Sequence, residues 1–189
     1  MINKKKIYLL HILLLSNIIF ANSMQSLNEI YLTLNINKKE IQDSIIYEEK
    51  NLISIGKNSL GKEIFLSKGC AQAWLKMKDD ALKDSINISI LSGFRSYKKQ
   101  YSIIKDKLNR GMPLNKILHE NKLPGLSYHH SGNAIDIISN SYKLSLEFEK
   151  SLAYLWLVKN AHKYGFYLQY PKDNKSGIMF EPWHWYFKE

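Results

Sequence analysis

Residues 127–137, SYHHSGNAIDI, place two histidines and an aspartate at the start of an apolar segment. Asp136 stands inside the run AIDII, where an unpaired carboxylate would incur a large desolvation cost. His129 precedes it by seven residues, and Gly132 lets the backbone bend so that both side chains can face one point. Imidazole and carboxylate groups are both zinc ligands. The segment therefore predicts two ligands of a zinc site, with a polar turn as the alternative.

A third ligand is needed, because catalytic zinc takes three protein ligands and one open position. The segment EPWHW supplies His184, and Glu181 lies three residues earlier, within reach of the same water. Pro182 biases Glu181 away from helical geometry, so this is not the motif in which two histidines share one helix face. A single loop histidine is more often a surface residue. The joint pattern favours a metal site.

The remaining histidines are expected to have other roles. His130 is predicted to point away from the metal, since its neighbour takes the inward position. His119 and His162 fall on predicted helices and are interpreted as structural or exposed. His11 lies in an N-terminal segment that is expected to be removed.

The elements that position these groups follow from capping residues and apolar spacing. The pattern predicts four helices: one capped by Ser67 and running to about Lys83, one over Tyr97–Asn109 capped by Ser96, a short one around residues 114–120, and one over residues 147–164. The last of these has apolar residues at positions 148, 152, 155, 156 and 158. The predicted strands are residues 86–93, residues 134–138, FYLQY and WHWYF. Strands and helices do not alternate regularly. We therefore expect an α+β fold, with a mainly antiparallel central sheet flanked by helices and the zinc site at the sheet.

Cys70 is the only cysteine, which excludes an internal disulfide. Its helical spacing with Trp74, Met77 and Ala81 predicts a buried apolar stripe rather than a catalytic thiol.

The N-terminus resembles a secretory signal peptide. Lys4, Lys5 and Lys6 precede an apolar run over residues 7–20, and Ala21–Ser23 offers small residues for cleavage. An uncleaved membrane anchor is the alternative. We expect a signal peptide over residues 1–23, an extension over residues 24–66 that packs on the domain, and a catalytic domain over residues 67–189. The protein is then exported to the periplasm or cell-wall space, without stable membrane insertion after cleavage, and is expected to be a monomer.

The composition is that of a globular protein, with 45% hydrophobic and 23% charged residues in a chain of 189. Removing the first 23 residues leaves 24 basic and 17 acidic residues, a net charge of +7. Nucleic acid is not the expected partner, because the lysines are scattered and Arg95 and Arg110 are the only arginines.

Three segments resemble the VanY-like D-alanyl-D-alanine carboxypeptidases. SYHHSGNAID is similar to that family's S-x-H-x-x-G-x-A-x-D pattern, EPWHW to its E-x-W-H pattern, and SGFRSYKKQ to its S-G-x-R-S-x-x-x-Q segment. These enzymes are zinc peptidases related to the D-Ala-D-Ala dipeptidases and to the hedgehog signalling domain. The resemblance covers roughly residues 67–187, with the motifs in the expected order.

The resemblance implies Zn²⁺ on His129, Asp136 and His184, with Glu181 as general base and acid. It also implies that Arg95 stabilises the oxyanion or holds the substrate, and that Ser127 and Gln100 line the site.

Two positions depart from the family pattern, which often has arginine where this chain has Gln169 and Tyr186. Neither is an expected zinc ligand, so the departures bear on substrate recognition.

Three functions remain open. The first is a zinc carboxypeptidase that removes the terminal D-alanine from peptidoglycan stem peptides, as a D,D-enzyme on D-Ala-D-Ala or an L,D-enzyme on tetrapeptides. The second is a peptidoglycan endopeptidase, and the third is a non-catalytic, zinc-stabilised wall-binding module. The presence of both Glu181 and Arg95 favours an enzyme.

Overall fold

The computed structural model describes residues 27–37, 45–139 and 144–188. The predicted signal peptide, residues 1–23, lies outside the described residues. The chain divides into two compact units, Met1–Ile45 and Ile46–Glu189. In the first unit, residues 27–33 form a short helix. None of the helices in the described ranges is long and apolar enough to span a bilayer.

The described strands of the second unit pair only in antiparallel fashion. They are β1 (Leu52–Lys57), β2 (Glu63–Ser67), β3 (Ile88–Ser92), β4 (Ala134–Ser139), β5 (Phe166–Leu168) and β6 (His184–Phe187). Strands β1 and β2 form a hairpin, and the other four form a sheet in the order β3-β4-β6-β5. The expected antiparallel sheet of an α+β fold is confirmed.

Three of the four helices named here begin after a serine whose hydroxyl caps the helix. The four are α1 (Lys68–Lys83), α2 (Tyr97–Asn109), α3 (Leu114–Glu120) and α4 (Leu152–Asn160). The hydroxyl of Ser67 accepts a hydrogen bond from the Cys70 amide, and that of Ser96 accepts one from the Lys99 amide. Both predicted caps are therefore confirmed.

The main core lies between α1, α4 and the larger sheet. The predicted stripe on α1 is buried as expected: Cys70, Trp74, Met77 and Ala81. Burial raises the pKa of the Cys70 thiol, so this side chain behaves as a small apolar residue. From β4 the core takes Ile135 and Ile137.

The prediction of one continuous helix over residues 147–164 is wrong. Ser151 has an extended backbone, and its hydroxyl caps a new helix by accepting from the Tyr154 amide. Short 3₁₀ turns, Leu146–Lys150 and Ala161–Tyr164, flank α4. The break changes the helical phase, so three of the apolar positions predicted to face the core are exposed: Leu152, Leu155 and Val158.

The hairpin of β1 and β2 was not predicted, because residues 52–67 show only weak periodicity. Ile64 and Leu66 nevertheless join the core. The backbone of Phe65 accepts a hydrogen bond from the Phe94 amide, which ties β2 to the segment that follows β3.

Candidate metal centre and active site

Strand register brings Asp136 and His184 together. Asp136 on β4 is paired with His184 on β6, and on its other side with Ser92 at the end of β3. Directly opposed residues on antiparallel strands have neighbouring side chains on one face of the sheet. The Nδ1 atom of His184 consequently lies 3.0 Å from Oδ1 of Asp136.

A short 3₁₀ turn, Tyr128–Ser131, delivers His129 to the same point. Its Nδ1–H donates to the carbonyl oxygen of Gly93 at 2.6 Å. In the neutral ring, Nε2 then presents a lone pair, and it lies 3.3 Å from Oδ2 of Asp136. Nε2 of His129 and Oδ2 of Asp136 both carry lone pairs, and at this distance both can bind the same cation.

The three predicted ligands form a compact donor set. One ligand atom each from His129, Asp136 and His184 lies within 4.8 Å of the others, and all three residues are buried. Within the described ranges, Nε2 of His184 is the one buried side-chain nitrogen or oxygen without a hydrogen-bond partner. Two imidazoles and one carboxylate match a catalytic zinc site.

The surroundings keep these groups in the protonation states that a metal requires. Burial lowers the pKa of His129 to about 4, assisted by the charge of Arg95, so the ring is neutral near pH 7. Burial acts to raise the pKa of Asp136, but His129 and His184 outweigh it and hold that pKa well below its usual range. The site therefore offers a neutral imidazole beside a carboxylate.

Glu181 stands beside this set without belonging to it. Its Oε2 atom lies 3.8 Å from Nδ1 of His184, and its backbone amide donates to the carbonyl of Tyr170. Burial raises the pKa of the Glu181 carboxyl to about 7. A carboxyl that exchanges its proton near neutral pH is suited to general acid–base work.

Arg95 reaches the site from the loop after β3. Its Nη2 donates to Oδ2 of Asp136 at 3.2 Å and to the hydroxyl of Ser92 at 3.1 Å. Its Nη1 donates to Oε1 of Gln100 at 2.8 Å, while Nε2 of Gln100 donates to the carbonyl of Lys122. Both ends of the Gln100 amide are therefore engaged, and this side chain holds the guanidinium in place.

The candidate metal centre opens into a cavity of about 390 Å³. Every site residue predicted from the sequence lines it: Arg95, Gln100, Ser127, His129, Asp136, Glu181 and His184. Tyr170 and Trp183 also line the cavity, together with Lys107, Glu120 and Lys122. The sequence did not single out these five, because aromatic residues in predicted strands and charges on or just after helices have no distinctive spacing.

His130 points away from the metal centre, as predicted. Its Nδ1 donates to the carbonyl of Arg95, and its Nε2 accepts from the amide of Gly125. Residues 46–49 support the same region, since the Ile46 amide donates to Gly125 and the Glu49 amide donates to the carbonyl of His130. The loops carrying Arg95 and His129 are thus fixed by backbone contacts.

The two departures from the family pattern lie away from the cavity wall as the described residues define it. The backbone amide of Gln169 donates a hydrogen bond to the backbone carbonyl of His184. Tyr186 packs on Tyr128, with ring centroids 4.5 Å apart.

Comparison with known proteins shows the family to which the chain belongs. Residues 63–189 match the family model described as VanY, D-alanyl-D-alanine carboxypeptidase. The chain therefore belongs to the VanY family. A D-alanyl-D-alanine carboxypeptidase from Enterococcus faecium is 35% identical over 133 residues, which are 68% of this chain and 39% of that protein. The chain thus spans well under half the length of this relative.

Solved structures share the fold. One is described as the LdcB LD-carboxypeptidase, with a TM-score of 0.67 and 31% identity over 75% of this chain and 69% of that one. Another is a mutant of the vancomycin-resistance D,D-pentapeptidase VanY in complex with Zn(II), with a TM-score of 0.59 and 23% identity over 76% of this chain and 87% of that one.

Proposed function

We propose that this protein is a zinc-dependent carboxypeptidase that removes the terminal D-alanine from peptidoglycan stem peptides. The observation that carries this proposal is the convergence of His129, Asp136 and His184 beside Glu181, a buried carboxyl with a pKa raised to about 7. A binding module needs the first three residues and has no use for the fourth.

His129, Asp136 and His184 would hold the zinc ion. When bound there, zinc polarises the scissile carbonyl and lowers the pKa of a water molecule toward ~7. The hydrogen bond from His129 to Gly93 fixes the tautomer and the orientation of one ligand.

Glu181 acts as the general base and then as the general acid. Its carboxylate takes a proton from the attacking water and returns it to the leaving amine of D-alanine. Glu181 is 9% exposed, which limits competition from bulk water. Arg95 offsets the negative charge that develops on the scissile oxygen or holds the substrate carboxylate.

The substrate would enter the cavity with its carboxyl end toward the metal centre. Ser127, 5% exposed at the cavity wall, is then placed to contact the peptide, and Gln100 keeps Arg95 aimed at it. A D,D-carboxypeptidase and an L,D-carboxypeptidase both fit this arrangement. The Enterococcus faecium relative, 35% identical, favours the first, and the LdcB structure, 31% identical, favours the second.

The activity assay uses purified protein with pentapeptide and tetrapeptide muropeptides, with and without a chelator. Release of D-alanine that a chelator abolishes and zinc restores is the expected result. Cleavage of the tetrapeptide alone identifies an L,D-enzyme, and cleavage of the pentapeptide alone a D,D-enzyme. Cleavage within the stem without release of D-alanine would show an endopeptidase. Binding of wall fragments without any cleavage would show a binding module.

A further inference from the structure

Residues 46–50 contact two loops of the active site, and the proposed chemistry assigns them no role. The backbone of this segment donates to the carbonyls of Gly125 and His130. The hydroxyl of Tyr97, the first residue of α2, donates in turn to the carbonyl of Ile46 at 2.9 Å. The segment therefore joins the start of α2 to the turn that bears a proposed zinc ligand.

The carboxylate of Glu48 caps the N-terminus of α2. Its Oε1 accepts a hydrogen bond from the Tyr97 amide, and its side chain is only 17% exposed. The first turn of α2 has no acidic residue of its own. A helix N-terminus leaves backbone N–H groups without partners and favours a negative charge nearby. Glu48 supplies that charge from a distant part of the sequence.

The N-terminus of α2 places both Arg95 and the side chain that holds it. Arg95 directly precedes Ser96, the cap residue, and Gln100 lies one turn into the helix. Nη1 of Arg95 donates to Oε1 of Gln100, whereas its Nη2 donates to Oδ2 of Asp136 on β4. A shift of the first turn of α2 would move Arg95 and Gln100 together relative to Asp136. The position of the guanidinium therefore depends on how firmly that turn is held.

We propose that Glu48 is a positioning residue for Arg95, which it places by fixing the first turn of α2. This proposal rests on the proposed function, in which Arg95 stabilises the oxyanion or holds the substrate. As the described residues define them, Glu48 lines neither the cavity nor the candidate metal centre. Its effect on the reaction is exerted through the helix.

Nuclear magnetic resonance of the arginine side chains measures this placement without turnover. The chain has two arginines, Arg95 and Arg110, so an Arg110→Lys substitution assigns their signals. Hydrogen bonds on both terminal nitrogens restrict rotation of the Arg95 guanidinium, so its terminal N–H groups should give separate signals. In zinc-loaded Glu48→Ala protein these signals should broaden or merge. Unchanged Arg95 signals in that variant would overturn the proposal.

Two milder substitutions separate the hydrogen bond from the charge. Glu48→Gln keeps an oxygen that can accept from the Tyr97 amide, so the Arg95 signals should stay separate. Glu48→Asp keeps the charge on a side chain one methylene shorter, so the signals should broaden. Glu49→Ala is the matched control, because the Glu49 carboxylate accepts from the next two backbone amides of its own segment. Broadened Arg95 signals in Glu49→Ala would contradict the assignment to Glu48.

Kinetics of D-alanine release show what this placement contributes to catalysis. Glu48→Ala should lower kcat/KM about ten-fold at unchanged zinc content, the lower end of the range typical for contacts that orient active-site groups from behind. In the Arg95→Ala background the same substitution should cause no further loss, because both changes act on one group. A full additional loss there would mean that Glu48 acts by another route, and would overturn the proposal. Ser151→Ala, which removes the cap of α4, controls for lost stability alone and should leave kcat/KM unchanged.

Failure of the positioning role and failure of the proposed function give different results. Release of D-alanine by the parent protein, with Arg95 signals and kcat/KM unaffected by Glu48→Ala, overturns the positioning role and leaves the carboxypeptidase intact. A parent protein that releases no D-alanine overturns the carboxypeptidase, and the Arg95 signals alone then decide whether Glu48 positions this side chain.

Discussion

The carboxylate of Asp136 receives three side-chain contacts from three different segments. His184 lies 3.0 Å from one oxygen, and Arg95 and His129 lie 3.2 and 3.3 Å from the other. A buried carboxylate of this kind needs such partners to offset its desolvation. The same arrangement presents two imidazoles to one point, so Asp136 both orders the centre and is itself a proposed ligand.

At this scale, His184→Ala should abolish zinc binding. The substitution removes one of the three proposed ligands, and a catalytic zinc site takes three protein ligands. Metal analysis of the purified protein should show that the zinc content falls from one ion per chain to nearly none. His162→Ala, which removes an exposed histidine, should keep full occupancy. Full occupancy in His184→Ala would remove His184 from the ligand set.

Arg95→Lys should slow turnover without loss of zinc. The guanidinium contacts Gln100 through one terminal nitrogen and Asp136 through the other, and an ammonium cannot make both contacts in the same geometry. Loss of a positioned donor to a developing oxyanion commonly costs about 10²–10³-fold in kcat. A retained positive charge should recover part of that loss, so we expect a smaller reduction than for Arg95→Ala. The measurement is kcat for D-alanine release. Equal rates for the parent and the Arg95→Lys variant would show that the planar guanidinium group of Arg95 has no role.

At the scale of elements, the site depends on how closely one loop approaches the hairpin. Gly132 ends the turn that carries His129 and has a φ of +70°. A Cβ atom there would lie 2.7 Å from the backbone nitrogen of Ser67, at the end of β2. The amide of Ser67 in turn donates to the carbonyl of Gly132 at 3.0 Å. The hairpin thus supports the loop that bears His129, a proposed zinc ligand.

Gly132→Ala should therefore destabilise the fold and weaken zinc binding. The positive φ alone costs about 1 kcal/mol, and the clash with a backbone atom adds to it. Gly111→Ala is the matched control, since Gly111 has a φ of +80° with nothing within 4 Å of its added Cβ. Denaturant unfolding should show a larger loss for Gly132→Ala than for the control. Equal losses would mean that the close approach to β2 does not matter.

The sequence was informative where a local rule fixes the outcome. The hydroxyls of Ser67 and Ser96 mark the starts of two helices. Asp136 lies in an apolar strand, where a carboxylate is stable only with a partner. The split at Ser151 was missed because apolar residues at helical spacing continue through it, although the hydroxyl cap interrupts the helix. The pairing of β4 with β6, which unites Asp136 and His184, depends on tertiary contacts that the spacing of residues does not encode.

At the scale of the whole molecule, the N-terminal pattern and the proposed substrate agree. A protein acting on peptidoglycan stem peptides must reach the wall, and Lys4–Lys6 with the following apolar run should direct export. Mass spectrometry of the native protein should find a chain that begins just after the region Ala21–Ser23. An intact chain in the cytoplasm would contradict the wall-enzyme proposal. An intact chain in the membrane fraction would support the anchor instead.

The proposed function requires that this protein performs catalysis and does not merely bind zinc. Glu181 lies 3.8 Å from a proposed ligand and is outside the ligand set, so Glu181→Gln should keep the fold and the metal. Removal of a general base commonly costs about 10²–10⁴-fold in rate. The decisive measurement is D-alanine release from a defined stem peptide by zinc-loaded parent and Glu181→Gln proteins of equal metal content. We expect release by the parent and a loss of about that size in the variant, whereas equal rates in the two proteins would show that Glu181 is not the general base.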